Sequence, residues 1–186
     1  MQELLDLVDP SGKPLGRAKP RPTVHRDGDW HRTVHIWIVN KRCEVLFQKR
    51  SATKESFPGT WDVSCAGHVS SGEPPIHAAK KELFEELGMR PAARELHHLF
   101  SVTTSSFQHN GLFIDNEINE VFLIRKNIDT SDLTLQSSEV TEARYFPLST
   151  LQWIAESPDP DFAPHHEEYR RLYEFLREKK ESRKSL

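Results

Sequence analysis

The sequence predicts an α/β fold, and three observations carry that expectation. Short runs rich in Val, Ile and Phe alternate along the chain with polar turns, as strands do. Two segments, about 74–87 and 166–178, repeat apolar residues at helical spacing. The 186 residues are enough for one well-buried core and short for two, so a single domain over 1–186 is expected.

The elements follow in order. Leu4 to Val8 reads as a strand, and Pro10-Ser-Gly12-Lys-Pro14 as the turn after it. Thr33 to Val39 is a strand with Ile36 and Ile38 on one side. Val45 to Gln48 pairs with it across Asn40-Lys-Arg. Ser51 to Thr60 is a loop, and Trp61 to Cys65 a short strand. Pro74 and Pro75 suit the first turn of a helix, and Gly88 suits its left-handed stop. Leu96 to Thr104 and Glu117 to Ile124 are strands around the polar turn His109-Asn-Gly111. Tyr145 and Phe146 close another extended piece, and Leu148 to Ile154 is a short helix. Tyr169, Leu172, Tyr173 and Leu176 share the face of a last helix, and residues about 178–186 are polar and expected to be a frayed, flexible tail.

Composition narrows the function classes. The net charge of −3 and pI near 6.4 give no reason to expect nucleic acid or an acidic membrane as partner. Two cysteines, Cys43 and Cys65, do not make a disulfide scaffold, which favours a reducing cytoplasm. The acidic start Met-Gln-Glu-Leu-Leu-Asp does not look like a signal peptide, and no run nears the roughly 20 apolar residues of a membrane span. The oligomeric state is open, a homodimer being one form considered.

Chemistry concentrates between Gly67 and Met89. Glu82, Glu85 and Glu86 stand at i, i+3 and i+4, so they share one helix face. Ile76, Ala79, Leu83 and Leu87 form the opposite, apolar stripe. Like charges at this spacing repel, and a hard divalent cation with oxygen ligands relieves the repulsion. Lys81 can tether one carboxylate through an ion pair. A lone E-x-x-E-E is commonly a solvated acidic face; here glycines and a further glutamate flank it at fixed offsets.

Those offsets resemble the Nudix box, G-x5-E-x7-R-E-U-x-E-E-x-G-U with U apolar. Gly67, Glu73, Glu82, Leu83, Glu85, Glu86, Gly88 and Met89 match, and Lys81 stands where the family has arginine. Lysine keeps the charge and loses the bidentate fork. The resemblance implies a Nudix-type α/β/α sandwich with a mixed central sheet and a loop–helix–loop catalytic motif. It further implies Mg²⁺- or Mn²⁺-dependent attack of water on a small-molecule diphosphate. Bound metal would neutralise the diphosphate charge, polarise its P–O bonds and acidify water. Glu82 and Glu86 would be principal ligands with the Ala66 carbonyl, and Glu85 a further ligand or a base.

A second resemblance covers more of the chain. Arg50, Lys54, the Pro-Gly-x-Trp turn at Pro58–Trp61, Gly67-His68 and Asp115-Asn116-Glu117 look like the type I isopentenyl-diphosphate isomerases. That likeness implies that His25, His31, His68, Asp115 and Glu117 bind a metal, and that Glu117 orients or deprotonates water. Arg50 and Lys54, in the loop before the box, are expected to grip phosphate with His68 nearby, and Arg50 to matter little for stability. Two departures favour hydrolysis over isomerisation. Ala66 occupies the position of the isomerase cysteine, with Cys65 one residue earlier and therefore on the opposite strand face. The box carboxylates are intact, whereas the isomerases lack some. The isomerases' tryptophan near the C-terminus also finds no counterpart in Asp159-Pro-Asp161-Phe-Ala-Pro-His165. The expected activity is thus cleavage of an isoprenoid or nucleoside diphosphate derivative. Isomerisation is the alternative, and a non-catalytic diphosphate-sensing module the second alternative.

Overall fold

Strict alternation along one central strand organises the molecule. In β3 (His31–Val39), Val34, Ile36 and Ile38 enter one apolar layer, while Trp37 and Val39 enter the other. A strand buried on both faces needs cover on both sides, and helices supply it. The structure is a computed structural model and describes residues 2–108 and 113–182.

The remaining strands of the main sheet are β4 (Glu44–Arg50), β5 (Trp61–Asp62), β6 (Cys65–His68), β7 (His97–Gln108), β8 (Phe113–Arg125) and β9 (Val140–Pro147), to be read with β1 (Leu4–Val8) and β2 (Pro14–Pro20) of a separate antiparallel pair. The main path runs β5-β4-β3-β8-β7, with β6 on β3 and β9 on β4. Among the described strand pairs of this sheet only β3–β8 is parallel, so the sheet is mixed. Helix α1 (Arg21–Asp27) follows β2. Helix α2 (Pro75–Leu87) covers one face through Ala78, Ala79, Leu83 and Leu87. Helices α3 (Leu148–Glu156) and α4 (His166–Ser182) cover the other through Leu151, Ile154, Tyr169, Leu172 and Leu176. Each fully buried leucine of this kind contributes about 1.5–3 kcal/mol. The result is the expected α/β/α arrangement.

Three differences from the sequence reading have physical causes. The expected strand Trp61 to Cys65 is broken in two. Buried Ser64 leaves the ladder there, its Oγ donating to the Leu46 carbonyl and accepting from the Ile38 N–H at 2.9 Å. β2 is mostly exposed and α1 spans only seven residues with Val24 as its one buried apolar side chain, so neither gave an apolar periodicity to read. The helix α4 continues past Glu178 to Ser182, so the polar end is helical further than expected. The expected turn at His109-Asn-Gly111 lies outside the described residues.

Candidate active site

Helix α2 is placed by its two ends. Pro74 is its N-cap and Pro75 its first residue. Gly88 closes it at φ 72°, its N–H reaching the Phe84 carbonyl at 3.0 Å while the Met89 N–H reaches that of Leu83 at 2.9 Å. At the other contact, Gly67 lets strand β6 meet the helix. A Cβ there would lie 2.2 Å from the Glu82 carboxyl carbon, so only glycine admits this carboxylate.

The three glutamates are not equivalent. Glu86 is buried, and the Gln48 amide donates to its Oε2 at 3.3 Å. Glu82 is largely shielded and pairs with Lys81 at 3.2 Å, as the spacing suggests. Burial raises both carboxyls to about 7, with neighbouring carboxylates adding to the effect. Glu85 is exposed and lines the same cavity, whose volume is about 710 Å³. Across it, Glu117 of β8 is raised to about 8 by burial and by the Asp115 charge. Glu120, three residues on, points to the opposite face, where Arg32, His98 and Ser101 hold it.

Beside these carboxylates, His25, His31 and His68 bring one nitrogen each within 4.8 Å of one another. His31 is fully buried, and its Nδ1–H is spent on the Asp29 carbonyl at 3.1 Å. Its Nε2 has no hydrogen-bond partner among the described residues and faces Glu117 at 3.8 Å. Nδ1 of His25 meets Asp115 Oδ1 at 3.0 Å, leaving its Nε2 3.2 Å from that of His68. Asp115 is thus engaged in orienting His25. Burial lowers His31 to about 4, and takes His68 well below the usual imidazole value with help from Arg21. Neutral imidazoles with a fixed tautomer and a lone pair turned inward are metal ligands in waiting. The orphaned His31 nitrogen and the glycine cradle for Glu82 show that the donor set fits a divalent cation.

The basic loop is more occupied than its sequence suggests. Arg50 donates to Asp62 at 2.7 Å, to the Ser56 carbonyl at 2.9 Å and to the Ser56 hydroxyl at 3.1 Å. The expectation that Arg50 matters little for stability is therefore corrected, since removing it would strand a buried carboxylate. Lys54 pairs with Glu139. Arg50, Lys54 and Arg21 all line the cavity. Arg21 escaped the sequence reading because it lies on a short helix with no local signature. The segment without an isomerase tryptophan nonetheless supplies Pro164 and His165 to the cavity.

Ala66 lines the cavity, and Cys65 packs on the α2 side of the sheet, as alternation requires. Comparison with known proteins agrees with the box and with this geometry: a model of the NUDIX domain matches residues 29–173. The chain belongs to the Nudix family. Nudix hydrolase 3 of Arabidopsis thaliana is 37% identical over 183 residues, 96% of this chain and 24% of that protein, so the chain spans about a quarter of that relative's length. An isopentenyl-diphosphate Delta-isomerase of Pectobacterium atrosepticum is 34% identical over 116 residues, 62% of each chain. A crystal structure from Deinococcus radiodurans superposes with a TM-score of 0.72 at 24% identity, covering 92% of this chain and 99% of its own, and it supports the Nudix fold. Hydrolysis of phosphoanhydride bonds is the general chemistry of this family. No helix among the described residues is long and apolar enough to cross a membrane.

Proposed function

We propose that this Nudix protein is a metal-dependent hydrolase of a small organic diphosphate, with water attacking phosphorus. One observation carries the reading. Glu82, Glu86 and Glu117 are pushed by burial toward neutrality beside two imidazoles kept neutral, and among the described residues only Glu82 of these three pairs with a lysine or arginine, Lys81. Glu82, Glu86 and the Ala66 carbonyl would hold Mg²⁺ or Mn²⁺, hard ions that take oxygen. Glu85 would complete that set or act as base. His25, His31, His68 and Glu117 would hold a second ion, where imidazole suits a borderline metal. When bound, such ions neutralise diphosphate charge and acidify water.

The chain's own groups supply the rest. Glu117 or Glu85 accepts the proton of the attacking water. Lys54, His68 and the two N–H groups of Arg50 not used by Asp62 and Ser56 receive phosphate oxygens, with Arg21 at the rim. The substrate is an isoprenoid or nucleoside diphosphate derivative. The whole chain serves as one catalytic domain, with neither nucleic acid nor membrane as partner and a homodimer compatible with function. Two free cysteines favour the cytoplasm.

A screen for Mg²⁺- or Mn²⁺-dependent hydrolysis over ADP-ribose, dinucleotides, nucleoside triphosphates and isoprenoid diphosphates tests this. We expect turnover of one class, abolished by chelator. Absence of hydrolysis across all classes with either ion would leave the sensing module as the better reading.

A further inference from the structure

The wall of the cavity facing α4 carries a second set of titratable groups that the metal side does not employ. His165 precedes α4 and lines the cavity. Its Nε2 donates to Asp62 Oδ1 at 3.0 Å. Asp62 is buried and held by two further donors, the Val63 N–H at 2.7 Å and Arg50 Nη1 at 2.7 Å. A carboxylate pinned from three sides cannot swing, so it fixes which imidazole nitrogen carries the inward hydrogen. Burial would raise Asp62, but His165 and Arg50 outweigh it, and the carboxyl stays far below its usual range and ionised.

The ring plane is fixed as well. His35 of β3 meets His165 edge to face at 4.9 Å, and Tyr169 flanks it at 5.9 Å. His35 is itself held by Glu168 at 2.8 Å, and Trp37 donates to the other Glu168 oxygen at 2.7 Å. The charged and titratable groups around His165 are therefore Asp62, Arg50, His35, Glu168 and Tyr169, with Glu117 across the cavity feeling its charge. His165 Nδ1 is the atom left over, and it has no hydrogen bond among the described residues. A network serving only to anchor α4 could be apolar, since buried ion pairs stabilise little compared with apolar packing. This one instead presents a carboxylate-backed imidazole to a cavity that ends in carboxylates and lone pairs on its other side. That is the arrangement of a positioned acid–base group.

We propose that His165, held by Asp62, is the proton donor to the oxygen that leaves phosphorus. The proposal rests on the hydrolase reading above. As the water oxygen bonds to phosphorus, the bridging P–O bond breaks and its electron pair goes to the bridging oxygen. That oxygen takes the Nδ1 proton of His165, which acts as the imidazolium and keeps its Nε2–H on Asp62. The proton of the attacking water goes to Glu117 or Glu85, and solvent carries one proton back from carboxylate to imidazole. Nothing else is consumed.

His165→Gln keeps an N–H for Asp62 and removes the transferable proton. Its kcat on the diphosphate turned over fastest in the screen should fall about 10²-fold, the usual worth of a general acid, with KM little changed. On thymidine 5′-monophosphate p-nitrophenyl ester, whose leaving group needs no proton, kcat should stay within about threefold of wild type. Equal losses on both substrates, or no loss on either, would overturn the proposal. A wild-type protein that hydrolyses nothing would remove the hydrolase reading and this one together; a wild type that is active beside an indifferent variant removes this one alone. A second measurement uses the unmutated protein. Long-range ¹H–¹⁵N NMR should find one His165 hydrogen on Nε2 toward Asp62, a second on Nδ1 in the imidazolium form, and an Nδ1 resonance that moves when inorganic diphosphate is added. An Nδ1 indifferent to diphosphate would overturn the proposal whatever the variant does.

Discussion

The two walls of the cavity solve opposite electrostatic problems with the same residue types. On the wall built by α2, β6 and the segment before β3, burial outweighs the partners the acids and imidazoles have, the Lys81 pair of Glu82 included. Glu82 and Glu86 sit at about 7, Glu117 at about 8 and His31 at about 4. On the wall built by β4, β5 and α4, every buried acid has a cation. Asp62 has Arg50 and His165, while Glu168 has His35, which raises that imidazole despite its burial. The first wall is incomplete as protein alone and fits a divalent cation; the second is complete within the chain. Burial costs a carboxylate the same on both sides. What differs is whether the chain or a ligand supplies the compensating charge.

Matched substitutions on the two walls give the sharpest break. Glu86→Gln removes a charge that the fold tolerates poorly, while keeping an oxygen for Gln48. Activity should fall on the order of 10²-fold or more, the scale for loss of an electrostatic stabiliser. The melting temperature of the metal-free variant should equal or exceed that of the wild type. Glu168→Gln is the mirror case. It strands the His35 imidazole and should cost about 3 kcal/mol, visible as a drop in denaturation midpoint. If Glu86→Gln destabilises and Glu168→Gln does not, the division into two walls is wrong.

Stability against pH gives an effect of intermediate size. A carboxyl whose folded value exceeds its ordinary 4.5 stabilises the fold below that value and loses this as pH rises through about 7 to 8. His31 acts at the other end, since an imidazole lowered from 6.5 to about 4 costs stability as pH falls through that interval. Between pH 6.5 and 8 the glutamates act without it, so metal-free protein should become less stable as pH rises. A loss of a few kcal/mol corresponds to a melting shift of roughly 5–10 °C for a chain of this size. Mg²⁺ or Mn²⁺ should restore the loss, and by more at pH 8 than at pH 6.5, because ligands bind deprotonated. Thermal melts at both pH values, with chelator and with 5–10 equivalents of metal (about 0.1 mM or above), read this directly. A melting temperature flat across that window, with or without metal, would mean that the α2 wall carries no uncompensated carboxylates.

The contrast between the walls also explains what was legible beforehand. The α2 wall is largely local: Glu82, Glu85, Glu86, Gly67 and Gly88 lie within one loop–helix–loop, where spacing puts the glutamates on one helix face and the resemblance to the Nudix box singles out Gly67. The strand alternation that turns Cys65 away from Ala66 was equally readable, because period two leaves no freedom. The far wall is not local. His165 reaches Asp62 across 103 residues, and His35 reaches Glu168 across 133. Each is an ordinary polar residue in its own neighbourhood, and only the docking of α4 on the sheet joins them. Arg50 was misjudged on stability for the same reason: its loop shows a free cation, and its partner Asp62 becomes visible only once β4 pairs with β5. The histidine cluster falls between these cases, named through a resemblance and ordered by contacts that no spacing encodes.

The smallest expected effect concerns Cys65, whose thiol hydrogen-bonds to Glu86 of the α2 wall from the apolar side. It packs with Val34, Ile36, Ala79 and Leu83. Burial and the charges of Glu86 and Glu82 push its thiol well above the ordinary value, so it stays protonated and unreactive at neutral pH. A thiol in that state, on the face of β6 away from the cavity, cannot exchange protons with an allylic carbon. Cys65→Ser keeps a donor for Glu86, so hydrolytic turnover should stay within about threefold of wild type and the stability cost should be about 1 kcal/mol. Isopentenyl diphosphate incubated with the enzyme and Mg²⁺ in D₂O should yield no dimethylallyl product and no deuterium incorporation above background by proton NMR. If either signal arises and Cys65→Ser abolishes it, the thiol reaches the cavity, the sheet register at β6 is not the one described, and the chemistry is isomerisation.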